Sequence, residues 1–483
     1  MVAFPIEELQ SRKSIILLAL ILGAFLNTFD SGILAVCIPV ISQTFNTTVS
    51  LAAWTILAYG LGLIMLALLS GKIYSKVGFF KGYTVSVAVF IIACIFCGFS
   101  KDIFTLSILR FIQGCGAGML YSIGPMAIRT FIPEEKQRFS YNLVSAVPYA
   151  GILIGTPLGG LILEFFSWQY TFFFQIPVCI LALLAGFSFP KLKRHSFSKG
   201  PDGLSLCFLF LSLFLLTFLL NQGDEMGWLS VPTVLLLGAT IFALIIFTRR
   251  ERLTKSPLFE RYLFSCKTFI RRVREVSVFM GICYGVSFFV PFLLLWTFSL
   301  SPVISGFLFL IDPLVMVCVA IPGGWILRRL SSKYIMKWGY IFLIATLSVY
   351  AGGAAFRSLE LICIGLILSG ISKGLYYPSS MNNVMDNLPG PYLEEGNSLY
   401  SFARAVTQIM GIAVFETIWS QIFTHKGDIK FMAGMDIGSA AALSFQAILL
   451  VSILIVIISF LFFTRSKTMN NFNEGSPGKN GDV

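Results

Sequence analysis

Long apolar runs separated by short polar turns make up almost the whole chain. A helix needs about 20 mainly apolar residues to cross the hydrocarbon core of a bilayer, because each residue adds only about 1.5 Å to its length. Runs of this kind recur along the sequence and predict fourteen membrane-spanning helices. The predicted spans are 14–42, 52–70, 82–100, 103–128, 140–163, 168–189, 204–221, 229–247, 276–297, 303–325, 334–355, 359–381, 397–423 and 441–464.

Two longer polar segments divide these spans into groups. The segment 190–203 follows six spans, and a strongly basic segment at about 248–275 precedes another six. We therefore predict an all-helical membrane protein with a six-helix bundle at 14–189, two linking helices at 204–247 and a second six-helix bundle at 276–464. Two repeated halves are typical of secondary transporters, whose substrate site lies near the middle of the membrane where the halves meet.

The composition excludes an ordinary soluble protein of this size. Of the 483 residues, 57% are hydrophobic and 12% are charged, and the mean hydropathy is +0.85. The first apolar run is much longer than the apolar core of a signal peptide, and no small-residue cleavage pattern follows it. We therefore predict that this run is an uncleaved first span.

Positive charge fixes the predicted orientation. The chain carries 35 Lys and Arg and a formal net charge of +12 at pH 7. Most of these residues fall on one side of the predicted topology, as cytoplasmic loops require. The exceptions lie in outer loops (Lys101, Arg357, Lys426, Lys430) or within spans (Arg110, Lys373, Arg404). We therefore predict cytoplasmic termini, contact with the lipid bilayer, and no nucleic-acid partner.

Cysteine and histidine give no sign of a metal, redox or catalytic centre. Nine of the ten cysteines fall within predicted spans, so a disulfide framework is not expected. Cys94 and Cys97 form a CxxC pair inside an apolar helix, where buried thiols are favoured over a metal site. The two histidines lie in loops. We predict no cofactor, no metal and no enzymatic activity.

Six charged residues fall inside predicted spans and away from the span ends, where charge is costly and usually functional. They are Asp30, Arg110, Asp312, Lys373, Arg404 and Glu416. Asp30 lies deepest, and an aspartate at a helix centre costs about 2.5–3.5 kcal/mol on insertion scales. Two interpretations are open. Either Asp30 binds and releases a proton, because burial disfavours its charged form, or it is permanently paired with Arg110 or Arg404.

The other intramembrane charges also leave alternatives open. Asp312 precedes Pro313, so it either lines a cavity from the second half or hydrogen-bonds the disrupted helical turn. Lys373 either pairs with Asp312 or meets an anionic substrate. Glu416 lies near the predicted outer end of its span, and we expect its side chain to reach water there.

Several of these stretches resemble the major facilitator superfamily, in particular its fourteen-span drug:proton antiporters. FDSGILAVCIP (29–39) resembles the first-helix pattern of an Asp followed nine residues later by Pro. LSILRFIQGCGAG is similar to the fourth-helix motif R-x-x-Q-G-x-G, and GILIGTPLGG to the fifth-helix antiporter motif. SWQYTFFFQIPV resembles the signature that opens the sixth span, and Arg404 falls where this group has a thirteenth-helix Arg. The resemblance covers nearly the whole chain in order.

The resemblance implies roles for particular residues. Asp30 is expected to couple to protons or a cationic substrate, and Arg110 to tune proton exchange. The fifth-helix glycines are expected to form a hinge-like interface between the halves. The conformational-motif residues that the sequence carries are Gly71, Gly78, Gln113, Gly114, Gly151, Gly155, Gly159 and Gly160, together with Pro157, which is displaced by one residue.

The sequence departs from the family pattern in three places. In the loop GKIYSKVGFFKG, Ser75 replaces the Asp that normally helps to latch the outward-facing state. In the fifth helix, Thr156 takes the Pro position and Pro157 follows one residue late. In the sixth, Gln169 and Gln175 replace Arg and Asn. These changes bear on gating and substrate more than on the fold.

From these features we expect a monomeric transporter in a bacterial cytoplasmic membrane. It would export a lipophilic or cationic organic compound in exchange for protons, by alternating access. The alternative is a transporter for a specific metabolite or siderophore, including an anionic one, which Lys373 and the altered loop motif favour. A channel or non-transporting sensor is the rival from another class.

Overall fold

The computed structural model describes residues 6–190, 202–254, 256–326, 331–386, 388–389, 392–423 and 437–465. Within these ranges the chain is helical and has no β-strand. The first seven helices are α1 (Ile6–Thr44), α2 (Val49–Val77), α3 (Phe79–Gly98), α4 (Ile103–Phe131), α5 (Glu134–Phe165), α6 (Tyr170–Phe173) and α7 (Ile176–Gly186).

The remaining helices follow the first polar interruption. They are α8 (Gly203–Met226), α9 (Val231–Leu253), α10 (Arg261–Ser265), α11 (Lys267–Phe292), α12 (Pro302–Phe309), α13 (Ile311–Ile326), α14 (Ser332–Ala355), α15 (Leu359–Met385), α16 (Leu393–Phe423) and α17 (Ile437–Arg465). A π-helical turn, Leu293–Thr297, continues α11 just after Pro291, which removes one hydrogen bond from the helix.

Thirteen helical segments of the described chain are long and apolar enough to cross a membrane. Where a sixth span was expected at 168–189, the structure has a shorter apolar segment, Tyr170–Gly186, broken into α6 and α7. Pro177 lies in the first turn of α7, where its missing N–H costs no helical bond. The break places Gln175 at the start of α7 with its side chain buried.

Glycines seat α5 directly against α1. A methyl group added at Gly155 would lie 2.7 Å from the carbonyl oxygen of Phe29, and one at Gly159 would lie 2.5 Å from that of Ile33. The backbones therefore approach more closely than any larger residue allows. Gly151 also faces α1.

Glycines also allow close contact between the backbones of α2 and α4. A methyl group at Gly114 would lie 2.9 Å from the Cα atom of Tyr59, and one at Gly118 would lie 3.0 Å from the nitrogen of Ala67. This contact brings Arg110, one turn before Gly114, beside α1 and α2 in the core.

Aromatic side chains fill the core formed by α11 to α17. The rings of Phe279 and Tyr376 stack with centroids 3.5 Å apart, and those of Phe289 and Trp419 stack 4.7 Å apart. All four are buried. These pairs hold α11 against α15 and α16.

The first and last groups of helices meet at one end of the molecule. There the end of α5 packs on α12, where a methyl group at Gly306 would lie 3.2 Å from the Cα atom of Gly160. The start of α2 packs on the end of α16, and α8 contacts both. This end, which carries the α1–α2 turn at Asn46, is the predicted outer face. The division into bundles at 14–189 and 276–464 stays a prediction.

Candidate functional site

Asp30 and Arg110 form a buried ion pair in the core of the first half. Their side chains are 0% and 1% exposed. Arg110 donates from Nη1 to Oδ1 and from Nη2 to Oδ2 of Asp30, both at 2.8 Å. Its Nε donates to the carbonyl of Thr55 at 2.9 Å. The pairing foreseen as the alternative for Asp30 is therefore present, with Arg110 as the partner.

Two glutamines complete the surroundings of Asp30. Gln175 donates to Oδ1 at 3.0 Å and Gln113 donates to the same oxygen at 3.3 Å. The Tyr59 ring lies 4.2 Å from the guanidinium carbon of Arg110. Good geometry with further hydrogen bonds is what allows an ion pair to persist without water. Gln175, which departs from the family pattern, is thus one of the donors that stabilise Asp30.

Asp312 and Lys373 form a second ion pair, in the other half. Lys373 Nζ lies 2.6 Å from Asp312 Oδ2 and donates to Ser287 Oγ at 2.9 Å. Oδ1 of Asp312 is buried and has no hydrogen-bond partner in the described structure. Of the alternatives for Lys373, pairing with Asp312 is the one that the structure shows.

Arg404 differs from these two cations. Its side chain is exposed although it lies within a predicted span, and from this we infer that it lines an internal cavity. Within the described residues it has no carboxylate partner. Tyrosines from both halves lie near enough to interact electrostatically with it: Tyr121, Tyr149, Tyr284, Tyr377 and Tyr400.

The intramembrane charges therefore do not balance around this cavity. Arg110 and Lys373 each have a carboxylate within 2.8 Å, and those pairs are neutral overall. Arg404 alone among the predicted intramembrane cations keeps an uncompensated charge within the described structure. The Arg404 cavity, defined by Arg404 and its five tyrosines, thus carries positive charge and aromatic surface.

Glu416 corrects an expectation. Its side chain is 0% exposed and does not reach water. Asn221 on α8 donates to Oε2 at 2.9 Å, and Ser50 on α2 donates to Oε1. The expectation was wrong because α8 packs over the end of α16 and closes the route to water, and the sequence gives no sign of that contact.

The predicted conformational residues lie in different places. Gly151, Gly155 and Gly159 contact α1, whereas Gly160 contacts α12 across the two halves. Thr156 donates to the carbonyl of Ile152 at 2.9 Å, within α5. A hinge-like role for this helix stays a prediction.

The loop motif after α2 has one glycine with a clear structural reason. Gly78 has φ of 82°, a backbone conformation that glycine adopts readily, and it joins α2 to α3. Gly71 has no neighbour within 4 Å of an added methyl group. Ser75 donates to the carbonyl of Lys72, one turn back along α2.

Comparison with known proteins identifies the family. The family model described as Major Facilitator Superfamily matches residues 20–412. The chain belongs to the major facilitator superfamily. It is therefore a multi-span membrane transporter of small molecules, rather than an enzyme.

Three curated relatives cover most of the chain. It is 29% identical over 427 residues to the riboflavin transporter RibZ of Clostridioides difficile, covering 87% of this chain and 91% of that protein. It is 26% identical to the multidrug efflux pump SdrM of Staphylococcus aureus, covering 95% and 99%. It is 22% identical to the multidrug resistance protein Stp of Mycobacterium tuberculosis, covering 83% and 75%.

Solved structures of other transporters share the fold. A bacterial homologue of the human lysosomal transporter Spinster matches with a TM-score of 0.69 at 14% identity, covering 94% of this chain and 96% of that one. The peptide transporter POT matches with a TM-score of 0.66 at 14% identity, covering 93% and 94%.

Proposed function

We propose that this transporter exchanges protons for an aromatic organic compound that is neutral or negatively charged. The observation that carries the proposal is the Arg404 cavity, where tyrosines from both halves lie near a guanidinium that has no carboxylate partner among the described residues. A site between two halves that move against each other is where alternating access places a substrate. Export as the direction follows from the relatives named as efflux and resistance proteins.

The chemistry of the cavity favours this substrate class. Tyrosine rings offer aromatic faces that stack on planar compounds, with hydroxyl groups that hydrogen-bond. A guanidinium binds carboxylates or phosphates through paired donors and also stacks on rings. A cationic substrate is bound by a carboxylate or by aromatic faces with no other cation nearby. The positive charge of Arg404 repels such a substrate. Of the lipophilic or cationic compounds expected from the sequence, we therefore favour neutral aromatic ones, and we include anionic ones.

Proton coupling is proposed through the intramembrane carboxylates. If Asp30 takes up a proton, the charge of Arg110 becomes unmatched, and the contact between α1 and α4 must change. A conformational preference that depends on protonation is what proton-driven exchange requires. Asp30 and Arg110 thus keep their proposed roles in coupling.

A binding measurement tests the proposed substrate class. The probes are riboflavin, which is neutral, its phosphate ester, which adds negative charge to the same ring, and the cation ethidium. Fluorescence anisotropy is measured with purified wild type, Arg404→Gln and the matched control Arg404→Lys. We expect Arg404→Gln to weaken binding of the phosphate ester by about tenfold to a hundredfold, since a hydrogen bond to a charged group contributes about 1.5–3 kcal/mol. Arg404→Lys should weaken binding of the phosphate ester less, because it keeps the positive charge.

Binding of ethidium is the result that would contradict the proposed substrate class. If ethidium binds the wild type and Arg404→Gln does not change binding of the phosphate ester, the cavity binds cationic drugs. The proposed substrate class is then wrong. Export of cationic compounds is the second candidate, and the multidrug relatives SdrM and Stp favour it.

A further inference from the structure

Glu416 lies at a junction of three parts of the molecule. It is on α16 of the second half, and its two hydrogen-bond donors come from α2 of the first half and from the linking helix α8. We define the outer seam as the contact of Glu416 with Ser50 and Asn221. We propose that Glu416 is a proton-binding site and that its protonated form holds the outer seam closed.

The surroundings of Glu416 do not suit a charged carboxylate. Its side chain is 0% exposed, and both donors are neutral. In the described chain no Lys, Arg or His forms an ion pair with it. Among the described residues, the titratable groups that act electrostatically on it are acidic, Asp224 and Glu225 on α8. The segment of α2 at Ser50 and the turn of α16 at Glu416 contribute no other titratable side chain.

The contrast with the other buried carboxylates supports this assignment. Asp30 and Asp312 each have a cationic side chain at 2.8 Å or less that compensates the charge of a carboxylate. Glu416 has no such cation among the described residues, and desolvating an unpaired carboxylate costs several kcal/mol. A neutral carboxyl avoids that cost. The hydroxyl of Ser50 can accept as well as donate, so it can bond either form.

The outer seam is braced on both sides of Glu416. Thr417 donates to the carbonyl of Leu220, and Thr48 donates to Glu225 at 3.0 Å. The linking helix α8 therefore connects the start of α2 to the end of α16. Loss of the proton would place a charge in this dry contact, and separating the helices would let water hydrate it. Protonation and closure of the seam are then thermodynamically linked.

This linkage gives the site a place in the proposed proton exchange, on which the inference rests. With the seam open, Glu416 would face the outside and take up a proton there. The neutral side chain then allows the seam to close. The linking helices would thereby take part in coupling instead of only connecting the halves.

Two measurements on the purified protein test the inference without substrate. Infrared difference spectra during a pH titration report protonated carboxyl groups, and Glu416→Gln should remove one such band. Spectroscopic labels carried by unnatural amino acids at Gln43 and Gln421, both exposed, report the separation across the outer seam by electron resonance. In wild type, the ratio of closed to open seam should fall by up to about tenfold per pH unit as one proton is lost. In Glu416→Gln, the outer seam should stay closed at every pH.

Glu164→Gln is the matched control, because Glu164 is acidic and exposed at the outer end of α5 and takes no part in the outer seam. It should keep the infrared band and the wild-type pH response. If Glu416→Gln keeps the band, or the separation in wild type does not depend on pH, the inference is overturned. Proton flux in vesicles is a separate measurement, so a failure of proton coupling as a whole remains distinguishable from a failure of Glu416.

Discussion

Breaking the ion pair between Asp30 and Arg110 should destabilise the protein strongly. In Asp30→Asn, the charge that faces two guanidinium nitrogens at 2.8 Å is lost, and one acceptor oxygen becomes an amide donor. Arg110 is only 1% exposed, so water cannot replace the lost partner. Removing one member of a buried pair costs about 3–5 kcal/mol of unfolding free energy, because the other charge is left uncompensated.

A double variant isolates the pairing from other effects. Arg110→Gln alone should cost a similar amount, since Asp30 then stays buried without its cation. Asp30→Asn combined with Arg110→Gln should cost far less than the sum of the single changes, because no uncompensated charge remains. Unfolding free energies from tryptophan fluorescence in a denaturing detergent titration measure all four proteins. A loss under about 1 kcal/mol in Asp30→Asn, or additive losses, would refute the reasoning.

Two further outcomes follow from the packing and the charges. Gly155→Ala should lower the unfolding free energy by about 1–3 kcal/mol in the same titration, because the methyl group meets the carbonyl of Phe29 at 2.7 Å; Gly71→Ala, with nothing within 4 Å, is the control and should change little. The hydrogen bond from Arg250 lowers the pKa of Asp202, so this pair stabilises the fold at neutral pH and its contribution is lost as pH falls through that lowered pKa. The melting temperatures of wild type and Asp202→Asn should therefore differ at pH 7 and converge in acid, and a difference that persists in acid would contradict this account.

The sequence predicts the helices well because hydrophobic length is a local property. Thirteen segments of the described chain have the length and composition of spans. The exception, near Tyr170–Gly186, is a shorter segment whose break depends on Pro177 and on the hydrogen bond from Gln175 to Asp30. That bond joins residues far apart in the sequence, so apolar length alone does not reveal it.

The candidate site was predicted only in part. The pairs of Asp30 with Arg110 and of Asp312 with Lys373 were foreseen as alternatives, since buried charges must be compensated. The tyrosines around Arg404 were not, because they come from different helices and each is an ordinary residue in its own span. Glu416 was misjudged because its burial depends on how α8 packs.

Proton flux through the reconstituted transporter is the direct test of proton exchange through Asp30. Wild type and Asp30→Asn are placed in liposomes with an imposed pH gradient, and internal pH is followed while riboflavin, its phosphate ester or ethidium is added. We expect an aromatic neutral or anionic compound to dissipate the gradient in wild type, and we expect no response from folded Asp30→Asn. If no compound moves protons, or wild type and variant behave alike, proton exchange through Asp30 is contradicted.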